Sequence, residues 1–128
     1  MKKISGIIIF LFCLVLNSAY SQQTVAPVQP ATKTVDVNKD GKPDVTYYSD
    51  GKYVNKIEAD TNYDGKPDVV VHLKDGKFQS AEADTNYDGK PEKKFDNAAE
   101  FNAWVNKNKP DFKDNLDKPD WRFDLLNF

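Results

Sequence analysis

The stretch that decides the fold is "DTNYDGKPDVVVHLKDGKFQSAEA", residues 60–83. The preceding 24 residues, "DVNKDGKPDVTYYSDGKYVNKIEA" at 36–59, follow the same pattern, and "DTNYDGKPEKKF" at 84–95 opens a third copy. A fixed period of this length indicates a structural repeat, in which each copy forms one small unit that packs against its neighbours. We therefore interpret residues 36–95 as two complete units and the start of a third.

The copies share the pattern D-x-N-x-D-G-x-x-D/E, which places oxygen-bearing side chains at positions 1, 3, 5 and 9. Ca²⁺ typically takes about six to eight oxygen ligands, several of them carboxylates. Asn, Asp and Gly also form plain turns, but three copies that keep all four oxygen positions favour metal binding. The predicted side-chain ligands are Asp36, Asn38, Asp40 and Asp44 in the first loop (36–44), Asp60, Asn62, Asp64 and Asp68 in the second loop (60–68), and Asp84, Asn86, Asp88 and Glu92 in the third loop (84–92).

The other positions of each loop predict a sharp turn that leads into a strand. Glycine at position 6 supplies the unusual backbone angles of the turn. Proline at position 8 favours an extended backbone for the residue before it. We expect the residue at position 7 to bind the ion through its backbone carbonyl while its ammonium group faces water; these residues are Lys42, Lys66 and Lys90.

The first half of the motif resembles the calcium loops of EF-hands and dockerins. The second half differs, because position 12 holds Tyr47, Val71 or Phe95 where an EF-hand has a carboxylate, and strand-forming residues follow. Loops of nine residues that enter a strand after "DGKPD" resemble the cation loops of FG-GAP (VCBS-type) repeats in integrin-like proteins. This resemblance covers about residues 36–95 and implies calcium-loop geometry, but the 24-residue units are too short for the blades of a propeller.

The spacing predicts a mainly β fold, a meander of about six antiparallel strands. The predicted strands are 32–35, 44–49, 52–59, 68–73, 77–83 and 92–95. Asp-Gly pairs at 50–51 and 75–76 favour two-residue type I′ turns. All calcium loops would then lie along one edge of the sheet and both Asp-Gly turns along the other. Asp50 follows Asp36 by 14 residues whereas Asp75 follows Asp60 by 15, which predicts a bulge or register change in one hairpin.

One C-terminal helix, at 97–107, is predicted to pack on the sheet. Asn97 and Glu100 form a capping-box pattern, and Phe101, Trp104 and Val105 form an apolar stripe at helical spacing. This stripe would cover the sheet face formed by Val45, Tyr47, Val69, Val71 and Leu73. For the tail (111–128), alternation around Trp121 favours a strand, and Pro119 equally favours the start of a short helix.

The N-terminal residues are typical of an export signal. Lys2 and Lys3 precede an apolar run, and "AYS" at 19–21 fits signal-peptidase cleavage, so residues 1–21 are predicted to be a signal peptide. Residues 22–31 read as a flexible linker and 32–128 as a single calcium-loop repeat domain. We expect a secreted or periplasmic protein with no membrane span. Removing the signal takes away Cys13, the only cysteine, and leaves 16 basic against 20 acidic residues, a net charge of −4.

These features predict an exported calcium-binding repeat protein that is not an enzyme and binds about three Ca²⁺ ions. No catalytic constellation or nucleic-acid surface stands out, because His72 is isolated and the basic residues form no run. The alternative is a cell-surface or extracellular binding or adhesion module in which calcium is structural. Tyr63 and Tyr87, at loop position 4, would then contact a glycan or protein partner, unless they serve in packing instead.

Overall fold

The β-branched and aromatic residues that follow the first two loops form the strands that their composition predicts. The computed structural model describes residues 30–117 and residue 121. Within these residues the chain forms one six-stranded sheet followed by a helical segment. The strands are β1 (Ala31–Val35), β2 (Val45–Ser49), β3 (Val54–Ala59), β4 (Val69–Lys74), β5 (Lys77–Ala83) and β6 (Lys93–Phe95).

The sheet is the antiparallel meander that the repeat predicts, with strand order β1-β2-β3-β4-β5-β6. The three loops connect β1 to β2, β3 to β4 and β5 to β6, so they lie side by side along one edge, the loop edge. The two Asp-Gly turns lie along the opposite edge, the turn edge. Each 24-residue unit therefore leaves the loop edge, reverses at the turn edge and returns.

Strand register sorts the side chains into an inner and an outer face. One row of partners across the sheet runs through Val35, Val45, Ala59, Val69, Ala83 and Lys93. The four middle members are buried, and this row belongs to the inner face. The neighbouring row, on the outer face, runs through Thr34, Thr46, Glu58, Val70, Glu82 and Lys94.

The bulge that the sequence predicts in one hairpin is present in both. Register shifts lie between Tyr48 and Ser49 in the first hairpin, and between His72 and Leu73 in the second. These positions are equivalent in the two repeats. The shifts therefore do not account for the one-residue difference in where the two Asp-Gly pairs fall within their repeats. That difference lies in the turns themselves.

The prediction of two type I′ turns is right for the second hairpin and wrong for the first. Asp75 and Gly76 both have positive φ, 52° and 73°, and directly join Lys74 to Lys77. In the first hairpin Asp50 lies one position earlier and does not have positive φ, whereas Gly51 has a φ of 102°. The carboxylate of Asp50 instead accepts hydrogen bonds from the backbone N–H groups two and three residues later, those of Lys52 and Tyr53, both at 2.9 Å.

The helical segment covers the inner face. Helix α1 (Ala98–Asn108) begins after Asn97, whose side-chain oxygen accepts hydrogen bonds from Ala99 and Glu100 backbone N–H groups. A 3-10 helix (Pro110–Phe112) and a short helix α2 (Lys113–Leu116) follow. The buried core joins the sheet to this cover, and its largest fully buried side chains are Tyr47, Ile57, Phe101, Phe112 and Leu116.

The apolar stripe of α1 packs as its spacing predicts. Phe101 and Val105 are fully buried, and Trp104 is partly buried at the edge of the core. The ring of Phe101 lies 5.4 Å from that of Phe95 and 5.6 Å from that of Phe78, measured between centroids. The C-terminal helix and the sheet therefore share one aromatic cluster.

Trp121 closes the turn edge of the core. Its side chain is 3% exposed, and its ring centroid lies 6.1 Å from that of Tyr47. Its backbone carbonyl accepts a hydrogen bond from Val54 N–H at 2.8 Å, and its own N–H donates to Gly76 at 3.3 Å. Residue 121 thus contacts the backbone of both hairpins.

Several sequence predictions fall outside the described residues: the signal peptide, most of the linker, and the tail beyond residue 117 apart from Trp121. At the linker boundary one correction is needed. Ala31, which the sequence assigns to the linker, is the first residue of β1, because it pairs with Ser49. Among residues 30–117, neither helix has the length and apolar character that crossing a membrane needs.

Candidate metal centre

The three loops share one hydrogen-bond network that begins at the position-1 carboxylate. In the second loop, Asp60 Oδ1 accepts from Asp64 N–H at 3.2 Å, and Oδ2 accepts from Gly65 N–H at 2.6 Å. These bonds wind the chain around the carboxylate, so both oxygens lie at the inside of the turn. The same pair of bonds is made by Asp36 in the first loop and by Asp84 in the third.

Positions 3 and 5 are held to each other and to position 7. Asn62 Oδ1 accepts from Asp64 N–H at 3.2 Å, and the Asn62 amide donates to Asp64 Oδ2 at 3.0 Å. This second bond, together with the one from Lys66 N–H at 2.8 Å, lowers the pKa of Asp64. Asn at position 3 therefore keeps the Asp64 carboxylate ionised while adding no further negative charge. The first and third loops make the equivalent bonds.

The position-9 carboxylate folds back over the start of its own loop. Asp68 Oδ2 accepts from Thr61 N–H at 2.7 Å and from Asn62 N–H at 3.2 Å, and the Thr61 hydroxyl donates to Oδ1. Position 2 is variable in the motif, so the sequence does not reveal this role. The only hint is that the second and third loops both place threonine there. Asp44 and Glu92 accept the corresponding backbone bonds in their loops.

Position 4 adopts a backbone conformation that the sequence motif does not predict. Lys39, Tyr63 and Tyr87 have φ values of 62°, 63° and 63°, in the left-handed region that side chains other than glycine seldom occupy. Gly65 and Gly89, two residues later, have φ values of 87° and 90°. The agreement among the loops indicates that each one is wound in the same way.

The side chains of the position-7 lysines face solvent, as the sequence predicts. Their ammonium-bearing side chains are exposed, and each backbone N–H donates to the position-5 carboxylate of the same loop. This bond fixes the peptide next to the carboxylates. The residues concerned are Lys42, Lys66 and Lys90.

The loops differ in how closely their carboxylates approach one another. In the third loop one oxygen from each of Asp84, Asp88 and Glu92 lies within 4.8 Å of the other two, an arrangement that could hold a metal ion. Among the described residues, this is the only such group of three, so the first two loops do not bring their acidic oxygens as close together. Glutamate is one methylene longer than aspartate, which gives position 9 of the third loop a longer reach.

Neighbouring loops are bonded directly to each other. Asp60 N–H donates to the Asp44 carbonyl, and Asp84 N–H donates to the Asp68 carbonyl, both at 2.8 Å. Position 9 of one loop therefore lies beside position 1 of the next. All four residues are buried, with exposed fractions between 4% and 9%.

Burial of these carboxylates is electrostatically unfavourable without a counter-charge. At Asp68 burial raises the pKa even though Thr61 donors and the charge of Lys109 oppose the shift. A divalent cation in the adjoining loop would supply the missing positive charge. The arrangement is thus suited to a hard cation with oxygen ligands.

Tyr63 and Tyr87 connect the loop edge to the helical cover. They are 40% and 43% exposed. The Tyr63 ring lies 5.8 Å from the ring of Phe112, and the Tyr87 hydroxyl accepts a hydrogen bond from Lys109 Nζ at 2.7 Å. Contacts with the cover therefore shield part of each tyrosine side chain, while a substantial fraction of it faces solvent.

Comparison with protein-family models, with curated proteins and with solved structures gives no match for this chain.

Proposed function

We propose that this chain is an exported, non-catalytic calcium-binding repeat protein in which Ca²⁺ stabilises the β-meander. The observation that carries the proposal is the hydrogen-bond network common to the three loops, in which the position-1 carboxylate accepts from the backbone N–H groups of positions 5 and 6. Ions bound there would be held by the fifteen residues at positions 1, 3, 5, 7 and 9, with the lysines contributing backbone carbonyls. The resemblance to FG-GAP (VCBS-type) cation loops supports the same ligand set.

Calcium would act on stability through the buried carboxylates at the loop edge. Asp44, Asp60, Asp68 and Asp84 lie in neighbouring pairs, so their repulsion opposes folding when no cation is present. An ion that binds the folded loops and not the unfolded chain adds its binding energy to folding. At a calcium concentration about 100-fold above the dissociation constant, each site would contribute about 2.7 kcal/mol.

The test is a calcium titration followed by circular dichroism and by melting temperature, with magnesium as the comparison ion. We expect calcium at millimolar concentration to raise the melting temperature. Asp64→Asn should reduce that rise, because it removes a predicted ligand charge. Asp75→Asn, a matched change at the turn edge, should leave the rise intact.

Two outcomes would contradict the proposal. One is a melting temperature and a spectrum that do not respond to millimolar calcium. The other is an equal loss of the calcium response in Asp64→Asn and Asp75→Asn, because the effect would then be unrelated to the loops.

A second candidate function is a surface binding module that uses calcium only as support. The observation in its favour is the solvent-facing part of Tyr63 and Tyr87 beside the loops. A pull-down of glycans or proteins that depends on these two rings, compared with the exposed outer-face residue His72 as a control position, distinguishes this function from calcium binding alone.

A further inference from the structure

A pocket of about 310 Å³ lies where the third loop, β6 and the end of α1 meet. Its lining contains two lysines, one tryptophan and two uncharged polar residues: Thr85, Lys93, Trp104, Asn108 and Lys109. The volume is at the lower end of the range for small-molecule sites, roughly 300–1,000 Å³. The combination of charge, aromatic surface and hydrogen-bonding groups distinguishes it from the rest of the loop edge.

The pocket is positively charged in an otherwise acidic part of the molecule. No carboxylate lines it, whereas the neighbouring pocket of about 120 Å³ between the second and third loops is lined by Asp68, Glu82 and Asp84. Within residues 30–117, neither Lys93 nor Lys109 forms an ion pair. Both ammonium groups therefore keep N–H donors for an anion, although Lys109 Nζ already donates one hydrogen bond to the Tyr87 hydroxyl at 2.7 Å.

Lys93 occupies an unusual position in the sheet. It ends the inner row whose buried members are Val45, Ala59, Val69 and Ala83, so it stands on the side of the sheet that α1 covers. Its neighbour Lys94 is on the outer face and pairs with Glu82 at 3.1 Å. The two adjacent lysines thus differ in that only the outer one has an acidic partner.

Trp104 provides a rigid aromatic wall. Its ring centroid lies 5.4 Å from that of Phe95 and 6.3 Å from that of Phe101, and the residue is only partly buried. The Asn108 amide donates to the Trp104 carbonyl at 2.8 Å, and this bond holds the Asn108 side chain beside the pocket. A flat apolar surface held next to amide and hydroxyl groups suits a sugar ring, because a pyranose presents C–H groups on one face and hydroxyls around its rim.

We propose that this pocket binds the carboxylated sugar residues of an acidic polysaccharide. The indole of Trp104 would contact the C–H face of the ring, and Thr85 and Asn108 would hydrogen-bond its hydroxyls. Lys93 and Lys109 would bind the carboxylate by charge-assisted hydrogen bonds. A neutral sugar would lose this last contribution.

Calcium should strengthen this binding, an expectation that rests on the proposed function. Thr85 belongs to the third loop and donates its backbone N–H to Glu92 at 2.7 Å, and Lys109 contacts Tyr87 of the same loop, so the pocket adjoins the predicted ion site. An ion bound by Asp84, Asp88 and Glu92 would add positive charge next to the pocket. It would also neutralise carboxylates that otherwise offset the charge of the two lysines.

The chain carries its own spectroscopic control for a test by NMR. It has two tryptophans, Trp104 at the pocket and Trp121 buried at the turn edge. Methyl glucuronide is titrated into the full chain, with methyl glucoside as the neutral probe and acetate as the probe without a ring. We expect the Trp104 indole N–H signal to shift with a dissociation constant on the order of 1 mM, while the Trp121 signal stays in place. Methyl glucoside should bind at least about tenfold more weakly.

Matched variants assign the binding to the pocket. Combining Lys93→Gln with Lys109→Gln should weaken methyl glucuronide binding at least about tenfold. Lys94→Gln, a change of the same kind on the opposite face of the sheet, should leave the affinity unchanged. Calcium should raise the affinity of the unmodified chain about fivefold.

Three results would overturn the proposal: no Trp104 shift, equal shifts with glucuronide and glucoside, or an acetate response as strong as that of glucuronide. Glucuronide binding without a calcium effect would overturn only the link to the third loop. Failure of the proposed function is read separately, as a melting temperature that does not respond to calcium.

Discussion

The second and third loops begin with the same eight residues, "DTNYDGKP", yet their environments differ. Both wind through the same hydrogen bonds and the same positive φ angles. The second loop has a loop on either side, and its position-9 residue Asp68 is 5% exposed. The third loop is last in the row, and its Glu92 is exposed and gathered with Asp84 and Asp88. The eight shared residues thus set the winding of a loop, whereas the residue at position 9 and the place of the loop in the sheet set its electrostatics.

The largest expected difference concerns position 9. In saturating calcium, Asp68→Ala should lower the free energy of unfolding by about 3 kcal/mol, because it removes a ligand and leaves buried donors on Thr61 without an acceptor. Glu92→Ala, at an exposed site, should lower it by only about 1 kcal/mol. Urea denaturation at fixed calcium measures both values, and equal losses would contradict the distinction between the two loops.

Glycine at position 6 should reveal what the loops share. Gly65→Ala and Gly89→Ala should each destabilise the protein by about 1–2 kcal/mol, because alanine is strained at φ values of 87° and 90°. An added Cβ would meet no atom within 4 Å at either position, so strain is the only local term. Thermal denaturation of the two variants should therefore give equal losses. A clear difference between them would show that the loops are not wound alike.

Substitution of the tyrosines at position 4 should again affect the two loops differently, with smaller losses in the free energy of unfolding. Tyr63→Ala removes an aromatic contact with Phe112 and should lower the free energy of unfolding by about 1 kcal/mol. Tyr87→Ala removes a hydrogen bond from exposed Lys109 and should lower it by about 0.5 kcal/mol. Tyr87→Phe, which keeps the ring, serves as the control. If Tyr87→Phe is as destabilising as Tyr87→Ala, the hydroxyl rather than the ring carries the effect.

The smallest effect is expected from shortening a side chain. Glu92→Asp makes the third loop match the second at position 9 and should weaken its calcium affinity about threefold, because the carboxylates no longer gather as closely. Isothermal titration calorimetry against the unmodified chain measures this change, with Asp68→Glu as the reciprocal variant. An unchanged affinity in Glu92→Asp would mean that side-chain length at position 9 does not matter.

The sequence predicts the meander because the strand-forming runs and the loops recur with the same period. Strand-forming runs such as that at Val69–Lys74 alternate with loops at a constant 24-residue spacing, so each strand is expected to pair with the strands before and after it in the chain. The helical cover is equally predictable, since Asn97 and the stripe through Phe101 mark its start and its buried side. Both signals are local, because each depends on residues only a few positions apart in the chain.

Features that depend on contacts between distant residues could not be predicted. The turn type at 50–51 depends on where the Asp-Gly pair falls relative to a register shift, which no local motif encodes. Nothing near Asp68 in the chain indicates that Lys109 lies close enough to influence its charge. For the candidate site, the oxygen positions were predictable, whereas the burial of each carboxylate required knowledge of its neighbouring loop.

Each 24-residue unit starts and finishes at the same edge, where Asp60 N–H meets the Asp44 carbonyl and Asp84 N–H meets the Asp68 carbonyl. The start of each unit therefore lies beside the loop of the unit before it. Tandem duplication of the corresponding 72 nucleotides would insert two strands and one loop, and the same junction would form again on either side of the insertion. The fold can in this way lengthen by whole units without a new connection, which gives evolution a simple means of changing the number of loops.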